Sequence, residues 1–233
     1  MKTHIIIFAL FFLIGCSSKQ KNDFYDYGVF EIRLPKEPKT ESLNSIDSYA
    51  AKINFDSTSF GFDYGRYSPK MTLSPKEYLD NKEWETQENF IIATVVDFGQ
   101  RDFVRYDSLG NGQFIAIYSV NDDTMFRKIA KDKILLEKSD IEFDGDTLKY
   151  RFKLPEKLQE FDFYLSEDDS VFSRIFVAKD FTKYRSGKYI LDKESCTNKL
   201  NCLRQLSIWT YSYGKISKEE LLGILKSVKL KKN

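Results

Sequence analysis

Apolar and polar residues alternate along much of this chain with a period of two, a spacing that fits half-buried strands and not helices. Phe30, Ile32 and Leu34 alternate with Glu31 and Arg33 until Pro35 stops the run. Tyr49, Ala51, Ile53 and Phe55 repeat the pattern, and past Asp56-Ser57-Thr58-Ser59 it resumes in Phe60, Phe62 and Tyr64, which predicts a hairpin. Ile141 and Phe143 lead through Asp144-Gly145 into Leu148, Tyr150, Phe152 and Leu154, with Thr147, Lys149, Arg151 and Lys153 between them. Residues 102–106 and 113–120 flank Ser108-Leu109-Gly110-Asn111-Gly112, a turn of residues that tolerate positive φ. In the second of these strands Phe114, Ala116 and Tyr118 on one face and Ile115 and Ile117 on the other predict cover on both sides. Residues 90–98, 161–165, 171–178, 188–191 and 203–213 supply further strands. The short connections favour antiparallel pairing. An aromatic content of 15% suits such sheets.

Helix signals are fewer. Ser74-Pro75-Lys76-Glu77 combines an N-cap, proline at the first helical position and glutamate at the third, predicting a helix to about residue 82. Residues 124–130 suit a short helix, and 134–137 fit helix or strand. Ser217-Lys218-Glu219-Glu220 reads as a capping box, followed by an apolar stripe of Leu221, Leu222, Leu225 and Val228 and an extended Val228-Lys229-Leu230. The predicted class is α+β: a mostly antiparallel β-sheet with a C-terminal helix packed on it, in one globular domain over 28–233.

Residues 5–14 (IIIFALFFLI) are ten consecutive apolar residues, half of what a membrane-spanning helix needs. They read as the core of a signal peptide. The run ends in Leu13-Ile14-Gly15-Cys16, which resembles the lipobox of bacterial lipoproteins. That resemblance implies removal of residues 1–15, a diacylglycerol thioether on Cys16, and membrane attachment through acyl chains. An ordinary secretory signal beside a chance cysteine is the alternative. Residues 16–27 read as a lipidated tether. Ser17, where aspartate would favour inner-membrane retention in that family's sorting pattern, implies an outer-membrane lipoprotein facing the periplasm.

The other two cysteines, Cys196 and Cys202, form an even pair in an oxidising compartment and predict a disulfide; their spacing is not the C-x-x-C of redox pairs.

Charge and composition exclude several functions. Removing Lys2 from the 36 basic residues leaves them equal to the 35 acidic ones, so the body lacks the basic footprint of a nucleic-acid binder. Lys226, Lys229, Lys231 and Lys232 read as a solvated tail, with contact to anionic head groups as the alternative. The only histidine, His4, lies in the leader, which removes histidine bases, triads and metal ligands from the mature protein. Asp140, Glu142, Asp144, Gly145 and Asp146 resemble the start of a calcium loop, but the twelfth position is Arg151 where a bidentate glutamate is required, so a hairpin turn is the better reading. Gly110-Asn111-Gly112 lacks the following helix of a phosphate cradle. No catalytic residue, metal site or cofactor is predicted.

Two aromatic groups remain as candidate partner-binding residues: Phe60, Phe62, Tyr64 and Tyr67, and Trp209, Tyr211 and Tyr213. Core packing against a helix is one reading and an exposed platform for a glycan or envelope protein the other. Gly61 and Gly65 would let a partner approach the backbone.

An opening strand Phe30-x-Ile32-x-Leu34-Pro35 and a closing segment Ile224-Leu225-Lys226-Ser227-Val228-Lys229-Leu230 resemble the ends of the PsbP/Mog1-like α/β/α sandwich. That resemblance implies helices on both sheet faces and a role in binding, and it transfers no functional residue. The expected function is a lipid-anchored binding or accessory protein of the cell envelope. The alternatives are an inhibitor or immunity-type lipoprotein that blocks a toxin or envelope hydrolase, and a glycan hydrolase using paired carboxylates.

Overall fold

Every strand pairing among the described residues is antiparallel, as the short connections require. The structure is a computed structural model that describes residues 23–86, 101–120, 140–144, 147–198 and 201–231. Residues 1–22, the strand expected at 90–98 and the segments at 124–130 and 134–137 lie outside the described residues. In chain order the elements are β1 (Asp23–Asp26), β2 (Phe30–Leu34), β3 (Lys39–Ser42), β4 (Tyr49–Phe55), β5 (Thr58–Tyr64), α1 (Pro75–Asp80), β6 (Arg101–Gly110), β7 (Gln113–Val120), β8 (Ile141–Asp144) and β9 (Thr147–Lys153). There follow α2 (Glu156–Gln159), β10 (Phe161–Glu167), β11 (Val171–Ala178), β12 (Gly187–Asp192), β13 (Cys196–Asn198), β14 (Asn201–Cys202), β15 (Gln205–Tyr213), α3 (Lys218–Ser227) and β16 (Lys229–Leu230).

The largest sheet has seven strands in the order β10-β11-β12-β15-β5-β4-β3. Its first face is apolar: Ile53, Phe60, Phe62, Val177, Leu206 and Ile208 are fully buried. The chain ends cover that face. Phe30, Ile32 and Leu34 of β2 and Leu221, Ile224, Leu225 and Val228 around α3 join the same cluster. β16 pairs with β2 (Lys229↔Glu31, Leu230↔Phe30), so the two terminal segments form one three-stranded sheet with β1. β1 begins at Asp23, inside the segment expected to be tether, because it pairs with β2 from Asp23↔Leu34 to Asp26↔Glu31. The helical stripe also differs by one residue. Ile224 is buried and Leu222 only partly so, because 221, 224, 225 and 228 share one helix face. At Ser217 only half of the expected capping box forms: its Oγ accepts from the Glu220 N–H at 3.1 Å.

A second core lies under the four-stranded sheet β6-β7-β9-β8. Trp84 is its centre, fully buried and stacked on Phe152 at 4.7 Å, with its Nε1 donating to the Tyr118 hydroxyl at 3.0 Å. The turn between β6 and β7 is tighter than expected. It is the pair Asn111-Gly112, at φ 49° and 72°, closed by Gly110↔Gln113, the positive-φ geometry that suits a twisted hairpin. On β7, Ala116 and Tyr118 are buried and Ile115 and Ile117 half-buried.

Helix α1 belongs to both parts. Tyr78 and Leu79 pack into the Trp84 core, while Glu77 pairs with Arg174 of β11 in the large sheet. Its N-terminus forms as expected: Ser74 Oγ accepts from the Glu77 N–H, and the Glu77 carboxylate accepts from the Ser74 N–H at 3.0 Å.

Among the described residues the apolar face holds one buried cation. Lys188 of β12 is 6% exposed, and its Nζ donates to the Val228 carbonyl at the C-terminal end of α3 at 2.8 Å. Burial, with a smaller contribution from nearby Lys229, pulls its pKa down to about 8. Between that value and the ordinary 10.5 the unfolded chain holds a proton that the folded chain has released, so stability rises with pH. Tyr150 and Tyr189, pushed up to about 12 chiefly by burial, act in the opposite direction only as the ordinary tyrosine value of 10.0 is approached. Urea unfolding should therefore show the wild-type protein gaining about 2 kcal/mol from Lys188 between pH 7 and 9.5, an increment that Lys188→Met lacks.

Candidate functional site

The second face of the large sheet is where chemistry collects. Cross-strand register places Arg174, Tyr189 and Ser207 in one row across β11, β12 and β15, with Gln205 two residues from Ser207. All four are buried. Together they hold the loop that leads into α1 by its carbonyls. Arg174 Nη2 donates to the Lys70 carbonyl, Ser207 Oγ to that of Pro69, and Gln205 Nε2 to that of Arg66 at 2.9 Å. Gln205 Nε2 also reaches the Cys202 carbonyl at 2.9 Å, and its Oε1 accepts from Tyr189 at 2.7 Å.

A small solvent-open cavity of about 130 Å³ lies beside this network, lined in part by Lys70, Glu77, Phe172, Arg174, Tyr189 and Gln205. Arg174 is 1% exposed, and its guanidinium lies 5.3 Å from the Tyr189 ring centre. Its Nε has no hydrogen-bond partner among the described residues. Burial lowers its pKa, opposed by the Glu77 carboxylate. Both Glu77 oxygens are engaged: Oε1 by Arg174, Oε2 by the N–H and hydroxyl of Ser74. The carboxylate acts here as a counter-charge and helix cap. The clue available from sequence is a cation, Arg174, beside Ser173 in the mostly apolar run of β11, and it does not figure among the expected site residues.

The expected aromatic groups separate. Phe60 and Phe62 are fully buried on the apolar face and bind the sheet to the chain ends, so they offer no platform. Tyr64 is half-buried against the same core. Tyr67 is 66% exposed, with the Arg66 guanidinium 5.6 Å from its ring centre. In β15 a register shift between Thr210 and Ser212 breaks the alternation. Tyr213 therefore turns to the apolar side, where it stacks on Phe181 at 4.3 Å and donates to the Tyr184 carbonyl. Trp209 and Tyr211 meet on the second face, ring centres 5.9 Å apart.

Both rings lie over Gly61. A Cβ at that position would sit 2.4 Å from Tyr211 Cε2 and 2.9 Å from Trp209 Cε2. The space above Gly61 is thus filled by the protein's own rings, which corrects the expectation of an open backbone there; at Gly65 a Cβ would meet the Asp47 carbonyl at 3.3 Å. Beyond Trp209, a Cβ at Gly187 would meet the Ile208 carbonyl oxygen at 2.4 Å and Phe176 Cζ at 2.7 Å.

Cys196 and Cys202 are disulfide-bonded, with Cα atoms 3.9 Å apart, in a small β13-β14 ladder between β12 and β15. The hairpin expected at the acidic run forms in β8 and β9, and Arg151 pairs with Glu142 at 2.6 Å. Among the described residues no group of three or more His, Cys, Asp or Glu could hold a metal ion, and no helix is long and apolar enough to cross a membrane. No family model matches the chain, and neither a curated protein nor a solved structure matches it.

The two close approaches differ in what must yield. Gly187→Ala forces a backbone carbonyl to move and should destabilise the protein by about 2 kcal/mol in denaturant unfolding. Gly61→Ala needs only ring displacement; it should cost less and shift the tryptophan emission.

Proposed function

We propose that this chain is a lipid-anchored binding or accessory protein of the cell envelope, attached to the outer membrane, facing the periplasm and without chemistry of its own. The observation that carries this is Leu13-Ile14-Gly15-Cys16 placed directly after ten apolar residues. Cysteine use supports it. Of the three cysteines, Cys196 and Cys202 pair with each other, which leaves Cys16 for modification and suits an oxidising compartment. Acyl chains contribute about 0.8 kcal/mol per buried CH₂, so a multiply acylated cysteine anchors a protein firmly without a spanning helix.

The position of β1 sharpens the geometry of display. Only Ser17 to Asn22 separate Cys16 from the first strand, and six extended residues reach roughly 20 Å. The folded body would thus be held close to the leaflet. The engagement of both Glu77 oxygens by Arg174 and Ser74 supports a structural role for this carboxylate and so favours binding over carboxylate hydrolysis at the cavity.

Fractionation of intact cells tests the anchor. The wild-type protein should sediment with membranes and show an acylated Cys16 by mass spectrometry, while Cys16→Ala should appear in the soluble fraction. Continued membrane association of Cys16→Ala, or an unmodified wild-type chain that keeps its leader, would contradict the proposal.

A further inference from the structure

Trp209 and Tyr211 are the aromatic pair that packing leaves unexplained. Neither belongs to a buried hydrophobic cluster of the described residues, and Tyr211 is 42% exposed. Three features place them together. Trp209 stands directly across from Gly61 on β5 and from Gly187 on β12, so no neighbouring side chain separates it from the sheet on either side. Tyr211 follows Trp209 by two residues, which puts both side chains on one face, and the β15 bulge leaves Tyr211 without a partner on β5. Both rings then press onto Gly61.

Cations frame the pair. Arg185 Cζ lies 5.0 Å and Lys52 Nζ 5.8 Å from the Tyr211 ring centre. Neither makes an ion pair with a described carboxylate. The acid across from Lys52 in the register is Glu41, whose carboxylate accepts from Asn54 Nδ2 at 3.0 Å. The surface therefore combines aromatic faces with two positive charges that no described carboxylate pairs with.

We infer that Trp209, Tyr211, Lys52 and Arg185 bind an acidic polysaccharide, the aromatic rings stacking on the C–H faces of its sugars and the cations pairing with its carboxylates. Two arguments select this ligand class. The π-faces of aromatic rings are negative and attract the positively polarised C–H bonds of a pyranose. At Trp209 β15 is paired on both sides, by Gly187 of β12 and Gly61 of β5, so no free backbone edge lies beside that ring for an extended peptide to join. The inference rests on the binding-protein proposal above and not on the lipid anchor.

The test uses the full chain in detergent micelles, titrated calorimetrically with polygalacturonate, neutral dextran and polyglutamate. Polygalacturonate should bind, and dextran and polyglutamate should bind at least tenfold more weakly. Trp209→Ala and Tyr211→Ala should each weaken polygalacturonate at least tenfold with an intact cooperative unfolding transition. The Lys52→Gln/Arg185→Gln double variant should lose a similar factor and most of the salt dependence. Equal binding of polyglutamate would assign the surface to acidic peptides and overturn the inference. So would absence of polygalacturonate binding, or aromatic variants that bind like the wild type. If binding fails while Cys16→Ala still leaves the membrane, the ligand class is wrong and the anchor stands.

Discussion

One charge pair, a buried Arg174 on a half-buried Glu77, connects the two halves of this fold. Arg174 sits in the middle of β11 with almost no solvent exposure, and its partner Glu77 is carried by α1. A guanidinium buried this deeply costs several kcal/mol in lost hydration unless its donors are met. Glu77 and the Lys70 carbonyl meet two of them. The same carboxylate caps α1 through Ser74, so one side chain ends a loop, starts a helix and neutralises the sheet's buried cation. Tyr78 and Leu79, next along α1, face the Trp84 core. With the Ser207 and Gln205 bonds to the Pro69 and Arg66 carbonyls, that contact places the 66–70 loop and the cavity beside it.

The large sheet is built asymmetrically. Its apolar face is closed by the chain's own ends, β2 and α3, and among the described residues admits a single buried cation, Lys188, on one helix-terminal carbonyl. Its other face carries Arg174, Tyr189, Gln205 and Ser207, each engaged with a loop carbonyl or with a neighbour in the same network. The choice of cation fits the setting. The planar guanidinium serves a carboxylate and a carbonyl at once, whereas the lysine on the apolar side has one acceptor and responds by a lowered pKa. The proposed ligand surface lies on the second face, since β2 and α3 cover the core of the first.

Strict alternation made much of this architecture legible from sequence. Phe30-Ile32-Leu34, Ala51-Ile53-Phe55 and Leu148-Tyr150-Phe152 all point inward as their period requires. So did local chemistry: Ser74, Pro75 and Glu77 form the helix start that their spacing implies, and Cys196 pairs with Cys202. What stayed hidden depends on contacts distant in sequence or on one inserted residue. β1 looks polar because only its pairing with β2 makes it a strand. The β15 bulge turns Tyr213 away from the face that Trp209 and Tyr211 share, and nothing in QLSIWTYSY marks where the extra residue falls. A separate core around Trp84 follows from α1 turning away from the large sheet, which no local pattern encodes. The candidate site was half visible for the same reason: its aromatic residues could be named, but not Lys52, Arg185 or the face they share.

The most direct measurement is the coupling between Glu77 and Arg174. A double-mutant cycle with Glu77→Gln, Arg174→Met and both together, followed by urea unfolding at pH 7, isolates their interaction from the losses each substitution causes alone. If the pair joins the two parts as described, the coupling should be about 2 kcal/mol or more. A coupling below about 0.5 kcal/mol would mean that the two side chains are independent and that α1 is held by its apolar face alone.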